Sequence, residues 1–295
     1  MIREQKKKDN KEVVKLLEHY VLRRGVCSVS GSIYDTAWVS MVSKYVNGRT
    51  IWLFSESFEC ICSLQSESGG WEGGDPVDEM VNTLASLLAM KRHLKVDDPV
   101  PDEDLPQRIT SATNFLAKKL SELDPCVTDD AAFEVLIPSM LDLLEIEGVQ
   151  LRFEEWDRLR EQNQRRMSKI NFSALYENPQ SILHSLESFI GLVDFDRLGQ
   201  YLKDGGMMGS PASTAAYLMN ASKWDEAAEG YLKEAVENGR RIADGMVTTV
   251  FPMSSFEFAW VLRPWFPVDC SLLVTFWKTG WKLTQTTVRG LAIFS

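Results

Sequence analysis

The sequence predicts an all-α fold, on three observations. Apolar residues recur every three to four positions through most of the chain. Gly and Pro clusters cut that pattern into segments of helical length: Gly69-Gly70, Gly73-Gly74-Asp75-Pro76, Pro99-Val100-Pro101, and Gly205-Gly206 through Pro211. Runs that alternate apolar and polar residues, the mark of a half-buried strand, are almost absent.

The elements follow in order. Asn10 is a good N-cap for a helix over residues 11–24, with Val14, Leu17 and Val21 on one face. Ser32 precedes a helix in which Ile33, Ala37 and Met41, and Tyr34, Trp38 and Val42, are spaced by four. That stripe is wide enough to be buried over much of the circumference. Val81, Leu84 and Leu88 mark a helix over 77–94, and a helix over 106–120 opens on Pro106. Residues 131–144 are apolar, and Pro138 predicts a kink among them. The heavily charged stretch 153–169 reads as a surface helix, and segments 179–189, 194–202, 211–220 and 223–243 complete the set. Two segments look alike: Gln65 through Gly69-Gly70-Trp71, and Gln200 through Gly205-Gly206-Met207. A Gln after a helix can bond free carbonyls, and a Gly pair allows the left-handed turn that stops the helix. The pair of segments suggests a repeated helical hairpin.

Composition excludes several classes. With 44% hydrophobic and 25% charged residues, the 295-residue chain is neither disordered, collagen-like nor a disulfide scaffold. Its 32 basic and 42 acidic residues give a net charge of −10. That balance argues against nucleic acid, because phosphate binding needs basic patches. The charge is uneven. Residues 263–295 hold four basic residues and one acid, while the first 262 hold 28 bases and 41 acids. The charged start, Met1 to Asp9, is unlike a secretory signal. The apolar run 258–281 is interrupted by Arg263, Pro264, Pro267, Asp269 and Lys278, so no membrane span is expected. The expected location is cytoplasmic. Cys60 and Cys62 have no matching Cys or His cluster, so buried thiols are expected rather than zinc.

Seven stretches occur in a fixed order between about residues 25 and 262. They are Ser32-Ile-Tyr-Asp-Thr-Ala-Trp-Val39, Gln65 to Trp71, Val81-Asn-Thr-Leu-Ala-Ser-Leu-Leu-Ala89, Phe133-Glu-Val-Leu-Ile-Pro138, Leu183-His-Ser-Leu-Glu187, Gly209-Ser-Pro-Ala-Ser-Thr-Ala215, and Phe251-Pro252 with Phe256-Glu257. They resemble the SxYDTAWV, QxxDGGW, NTLA, FExxxP, HSLE, SPSSTA and FP…FE elements of the class II diterpene cyclases. The likeness is to the copalyl diphosphate synthase type, and most of all to the fungal bifunctional copalyl diphosphate/kaurene synthases. Tyr34, Asp35, Thr36, Trp38, Gln65, Trp71, Asn82, Glu134, Pro138 and His184 carry it as family-motif structural residues.

The resemblance implies two α/α barrels, γ inserted after the first helix of β. Residues 1–60 would be N-terminal helices of β, 61–245 the γ domain, 246–262 the re-entry into β, and 263–295 a non-family tail. It implies geranylgeranyl diphosphate as substrate, protonated at its terminal double bond and cyclised to a copalyl-type diphosphate. It implies Mg²⁺, with Glu122, Asp124, Asp129 and Asp130 in the position of a loose acidic motif; oxygen ligands suit a hard cation. Thr249 stands where relatives carry Asn or Ser, and implies a polar substrate contact.

One element of the family is missing from this sequence. Protonating an alkene needs a carboxylic acid held neutral and sheltered from water. The family supplies it with a DxDD motif, and no DxDD occurs here; Asp97-Asp98, Asp129-Asp130 and Asp194-Phe-Asp196 are the nearest runs. After Leu262 the family pattern stops, where the charge also changes. The expectation is a truncated product, from a frameshift, a retained intron or a gene-structure error. No catalytic residue is therefore assigned. With β incomplete, apolar faces bearing Ile33, Trp38 and Phe258 are expected to lie partly exposed and to favour association. Competing readings are a catalytically inactive remnant and an α-helical prenyl- or protein-binding module.

Overall fold

The computed structural model describes residues 30–95, 104–122 and 132–252. The predicted helix over 11–24, Asp124, Asp129, Asp130, Phe256, Glu257, Phe258 and the tail lie outside the described residues. Ser32 starts the first helix, α1 (Ile33–Ser40), by accepting the Asp35 amide on its hydroxyl. The helix is buried round most of its surface, as its doubled apolar stripe predicts. Trp38 is 0% exposed, and α1 packs on α2 (Ser55–Ser63), α3 (Pro76–Leu94) and α7 (Pro211–Asn220).

This corrects one expectation: Trp38 is core, not part of an exposed face, and Ile33 is half-buried. Residues 29–251 form one compact unit. The reason is hydrophobic. Ala37, Trp38, Val39 and Val42 join one continuous core with residues of α3 and α7, so α1 has no separate core to belong to.

Among the described residues six short strands accompany the helices in three antiparallel pairs. β1 (Gly31–Ser32) pairs with β6 (Val247–Thr248), which ties the start of the unit to its end. β2 (Ser43–Val46) and β3 (Arg49–Trp52) close on Asn47-Gly48, and β4 (Leu202–Lys203) and β5 (Gly206–Met207) close on Asp204-Gly205. Both turn pairs hold positive φ at both residues: 52° and 82°, then 49° and 83°. That is the geometry that Asn-Gly and Asp-Gly select. The apolar period misses these hairpins because they are too short to show it.

The two Gln…Gly-Gly segments are one device used twice. After the first, the Trp71 amide donates to the Thr83 hydroxyl in α3 (3.2 Å); after the second, the Met207 amide donates to Thr214 in α7 (2.9 Å). Each Gly pair then lies flat against residues four apart on the next helix but one. For Gly69 and Gly70 these are Ser111 and Phe115 of α4 (Leu105–Ser121); for Gly205 and Gly206 they are Ala227 and Tyr231 of α8 (Glu226–Gly239). The glutamines differ. Gln65 donates to Gly69 O and Arg108 O, while Gln200 donates to Tyr176 O and Arg197 O. Only the second bonds a carbonyl of the preceding turn.

Pro138 has no N–H for the Glu134 carbonyl four residues back, and its ring crowds that carbonyl. The chain responds with a π turn, Ala132–Leu136, ahead of α5 (Ile137–Ile146). The Glu134 carbonyl accepts instead from the Asn163 side chain at 2.7 Å, and Arg166 holds the Glu134 carboxylate. Both partners come from one face of α6 (Trp156–Met167), whose only buried residue is Leu159. Asn163→Ala is expected to lower stability by about 1 kcal/mol, read as a lower urea midpoint. An unchanged midpoint would mean that water replaces the amide.

Segments 179–189 and 194–202 are tighter than predicted. They form 3₁₀ turns at Ser181–Phe189, Phe195–Arg197 and Gly199–Tyr201, the first broken at Ser185 (φ −125°, ψ 42°). Among the described residues no helix is long and apolar enough to cross a membrane. Cys60 and Cys62 are buried thiols.

Candidate functional site

Four stretches far apart in sequence meet at one junction. On α1, the Ser32 hydroxyl donates to Asp35 Oδ2 (2.6 Å), and the Thr36 hydroxyl bonds Ser32 O (2.6 Å) while accepting the Val247 amide (3.1 Å). The other Asp35 oxygen accepts the Ala212 amide (3.1 Å) in the first turn of α7, where Ser210 is the N-cap. An anion is favoured there, at the positive end of the helix. Glu187, from the 3₁₀ segment, accepts from Tyr34 Oη on one oxygen (3.0 Å) and Ser213 Oγ on the other (2.8 Å); Ser213 in turn accepts the Leu186 amide (2.9 Å).

The result is two carboxyls from different segments, each 3% exposed. Among the described residues neither is paired with a Lys, Arg or His. Burial pushes Asp35 up to about 7, against the hydrogen bonds from Ser32 and Ala212 that favour its charged form. Burial likewise pushes Glu187 up to about 7, and it raises the Tyr34 phenol well above its ordinary value, with the Glu187 charge adding to it. The sequence reading named Tyr34, Asp35 and Thr36 but not their partners Glu187 and Ser213. The signal was within the quoted Leu-His-Ser-Leu-Glu and Ser-Pro-Ala-Ser-Thr stretches.

A rim adjoins this network. His184, half-buried, faces Met208 O with Nδ1 at 3.4 Å. The next residue, Gly209, accepts the Phe251 amide (2.8 Å), and Tyr231 Oη holds Phe251 O (2.7 Å). So His184 and the 249–251 stretch flank the same short loop. Thr249 is exposed on that stretch, while its neighbour Thr248 is buried and bonds Val250 O (2.8 Å).

The remaining candidates lie elsewhere. Trp71 is wholly buried and donates from Nε1 to Ile61 O (2.7 Å); Asn82 donates to Glu72 O (3.0 Å). Pro138 is buried, Gln65 holds backbone carbonyls, and the Glu134 carboxylate is held by Arg166. Glu122 is exposed at the end of α4. Among the described residues no three His, Cys, Asp or Glu side chains form a group that could hold a metal ion. A second polar cluster joins the β2–β3 hairpin to α8: Lys44 contacts Glu229 at 2.5 Å and lies 4.4 Å over the Trp224 ring. Burial would raise Glu229, but hydrogen bonds from Lys233, Lys44 and Trp224 outweigh it and hold it at about 2. Trp224 is thus a helix-end anchor.

Comparison with known proteins settles the kinship. The chain is 41% identical over 245 residues to the copalyl diphosphate synthase of Talaromyces verruculosus, covering 81% of this chain and 25% of that protein. It is 40% identical over 252 residues to the phyllocladan-16-α-ol synthase of Phomopsis amygdali, covering 83% of this chain and 25% of that protein. The chain is a relative of the fungal copalyl diphosphate synthases and bifunctional diterpene synthases. It spans about a quarter of the length of these curated relatives. No family model matches it. The fold agrees. The ent-copalyl diphosphate synthase of Arabidopsis thaliana superposes with a TM-score of 0.67 at 25% identity, over 86% of this chain and 35% of that one. The abietadiene synthase of Abies grandis also gives 0.67, at 23% identity, over 86% and 33%. The junction and its rim thus gather four of the seven stretches that carry the sequence resemblance: those containing Asp35, Glu187, Ser213 and Phe251.

Proposed function

We propose that this chain forms part of a class II diterpene cyclase acting in the cytoplasm on geranylgeranyl diphosphate by protonation, and yielding a copalyl-type diphosphate. The carrying observation is the convergence of residues 32–36, 184–187, 208–215 and 247–251 on one junction and its rim. The Arabidopsis relative was solved with an aza-dihydrogeranylgeranyl thiolodiphosphate, which supports the substrate class. In this reading residues 1–60 and 246–262 belong to the β domain and residues 61–245 are the γ domain. Thr249 offers the substrate a hydroxyl from the rim beside His184. Asp35 and Glu187 do not substitute for the DxDD acid, because all four of their oxygens are engaged inside the helical packing. Mg²⁺ would serve the diphosphate. Of its expected ligands only Glu122 is described, exposed at the end of α4, so the assignment rests on Asp124, Asp129 and Asp130 as well.

The test is direct. Purified chain is incubated with geranylgeranyl diphosphate and Mg²⁺, and dephosphorylated products are separated by gas chromatography. The expected result is no copalol from this chain alone, together with saturable binding of a geranylgeranyl diphosphate analogue that Mg²⁺ strengthens. Copalol would overturn the reading that the acid is missing. Absence of binding would overturn the substrate assignment.

A further inference from the structure

The Asp35–Glu187 junction has chemistry that the cyclase reading does not use. Each carboxyl is satisfied only by neutral donors: Ser32 and the Ala212 amide for Asp35, Tyr34 and Ser213 for Glu187. A buried ion pair would place a cation here, and among the described residues there is none on either carboxyl. Two uncompensated anions inside one core are costly, so such a site favours retaining a proton.

The groups facing the junction can be named. From α1 come Tyr34 and Asp35, and from the 3₁₀ segment Glu187, with His184 one turn before it on the rim. From α8 comes Tyr231, whose hydroxyl is committed to Phe251 O. From α7 the facing groups are Ser210, Ser213 and the Ala212 amide, none of which titrates near neutrality, and from β6 and its approach Met246 and Val247. α3 contributes His93, but at the far end of α1, where it bonds Ser40 O (2.9 Å) between the Trp52 and Phe58 rings.

We propose that this hydroxyl-lined, cation-free carboxyl pair is a proton-operated latch. With the proton bound it holds the 3₁₀ segment and the start of α7 against α1; on losing the proton the two anions repel and the attachment loosens. The anchored segment is the one that carries His184 and abuts the 208–209 loop, so the latch governs the rim. The inference rests on the fold and these hydrogen bonds, not on the cyclase activity.

The sign follows from linkage. Burial raises both carboxyls in the folded chain, so their stabilisation is complete below their unfolded values and is lost as pH rises to about 7. Burial moves His93 the other way, down to about 4, so the wild-type profile alone mixes the two effects. The measurement is therefore the difference between the full chain and its Glu187→Gln variant in urea unfolding. The folded-to-unfolded ratio of wild type relative to the variant is expected to fall about tenfold per pH unit from roughly pH 5 to 7, then level off. A pH-independent difference overturns the latch.

Should the variant not fold, wild type decides by itself. Infrared spectra at about pH 6, where ordinary carboxyls are ionised, are expected to show the C=O stretch of a protonated carboxylic acid. Hydrogen exchange, corrected for intrinsic rate, should show less protection at Leu186 and Ala212 above neutrality than below. Absence of the infrared band, or equal protection on both sides, refutes the proposal.

Discussion

Trp71→Ala is expected to lower the stability of the chain by about 3–5 kcal/mol, in the range of large-to-small changes at wholly buried aromatic sites. Two losses combine. The indole is completely enclosed in the core between α2 and α3, and removing it leaves a cavity that rigid helices on both sides cannot close. It also supplies the Nε1–H that satisfies Ile61 O within α2. The backbone amide of the same residue is fixed by Thr83, so the segment cannot swing to refill the space. Trp71→Phe separates the contributions: it keeps most of the bulk and deletes the donor, and should cost about 1–2 kcal/mol. Urea unfolding with an unchanged m-value is the measurement. A loss below about 1 kcal/mol for Trp71→Ala would mean that the site repacks, contrary to this account.

The helices were legible because their signals are local. Ser32, Asp75 and Ser210 cap α1, α3 and α7 through their own side chains, and Pro stands in the first turn of α3 and α7. The Gly-pair likeness was legible too, but only as a pattern. What the glycines accomplish, close approach to residues four apart on a later helix, is a long-range fact that spacing does not contain. The hairpins at Asn47-Gly48 and Asp204-Gly205 carried a readable turn signal in dipeptides of known preference. The partners of α1 were not legible, for a different reason. Burial of α1 on most of its surface shows in the sequence, while the partner that buries it does not.

The candidate site was half legible. Asp35 sits at a helix start, but its decisive contact is with the first turn of α7, 177 residues on. Glu187 ended a recognised stretch without attracting notice, since a carboxylate in a motif gives no sign of burial. Only the packing reveals that Tyr34, Glu187 and Ser213 form one chain of hydrogen bonds. Thr249, expected to make a polar contact with substrate, is exposed, while its neighbour Thr248 is buried together with Val247 in β6.

Gly205→Ala should lower stability by about 2–5 kcal/mol, combining left-handed strain with overpacking. Gly205 has φ +83°, and an added Cβ would lie 2.1 Å from Ala227 O, a backbone atom of α8 that cannot step aside without moving the helix. Moving α8 disturbs Tyr231, whose hydroxyl holds Phe251 O, and with it the stretch that flanks the 208–209 loop. Gly48→Ala is the matched control. Its φ is +82°, nearly the same, yet an added Cβ there meets nothing within 4 Å. The two substitutions thus share the conformational cost and differ in the clash, so Gly48→Ala should lose only about 1 kcal/mol. Equal losses would show that φ alone matters and that α8 yields freely. A much larger loss at Gly205, with weakened hydrogen-exchange protection at Phe251, would confirm that the second Gly pair holds helix and rim together.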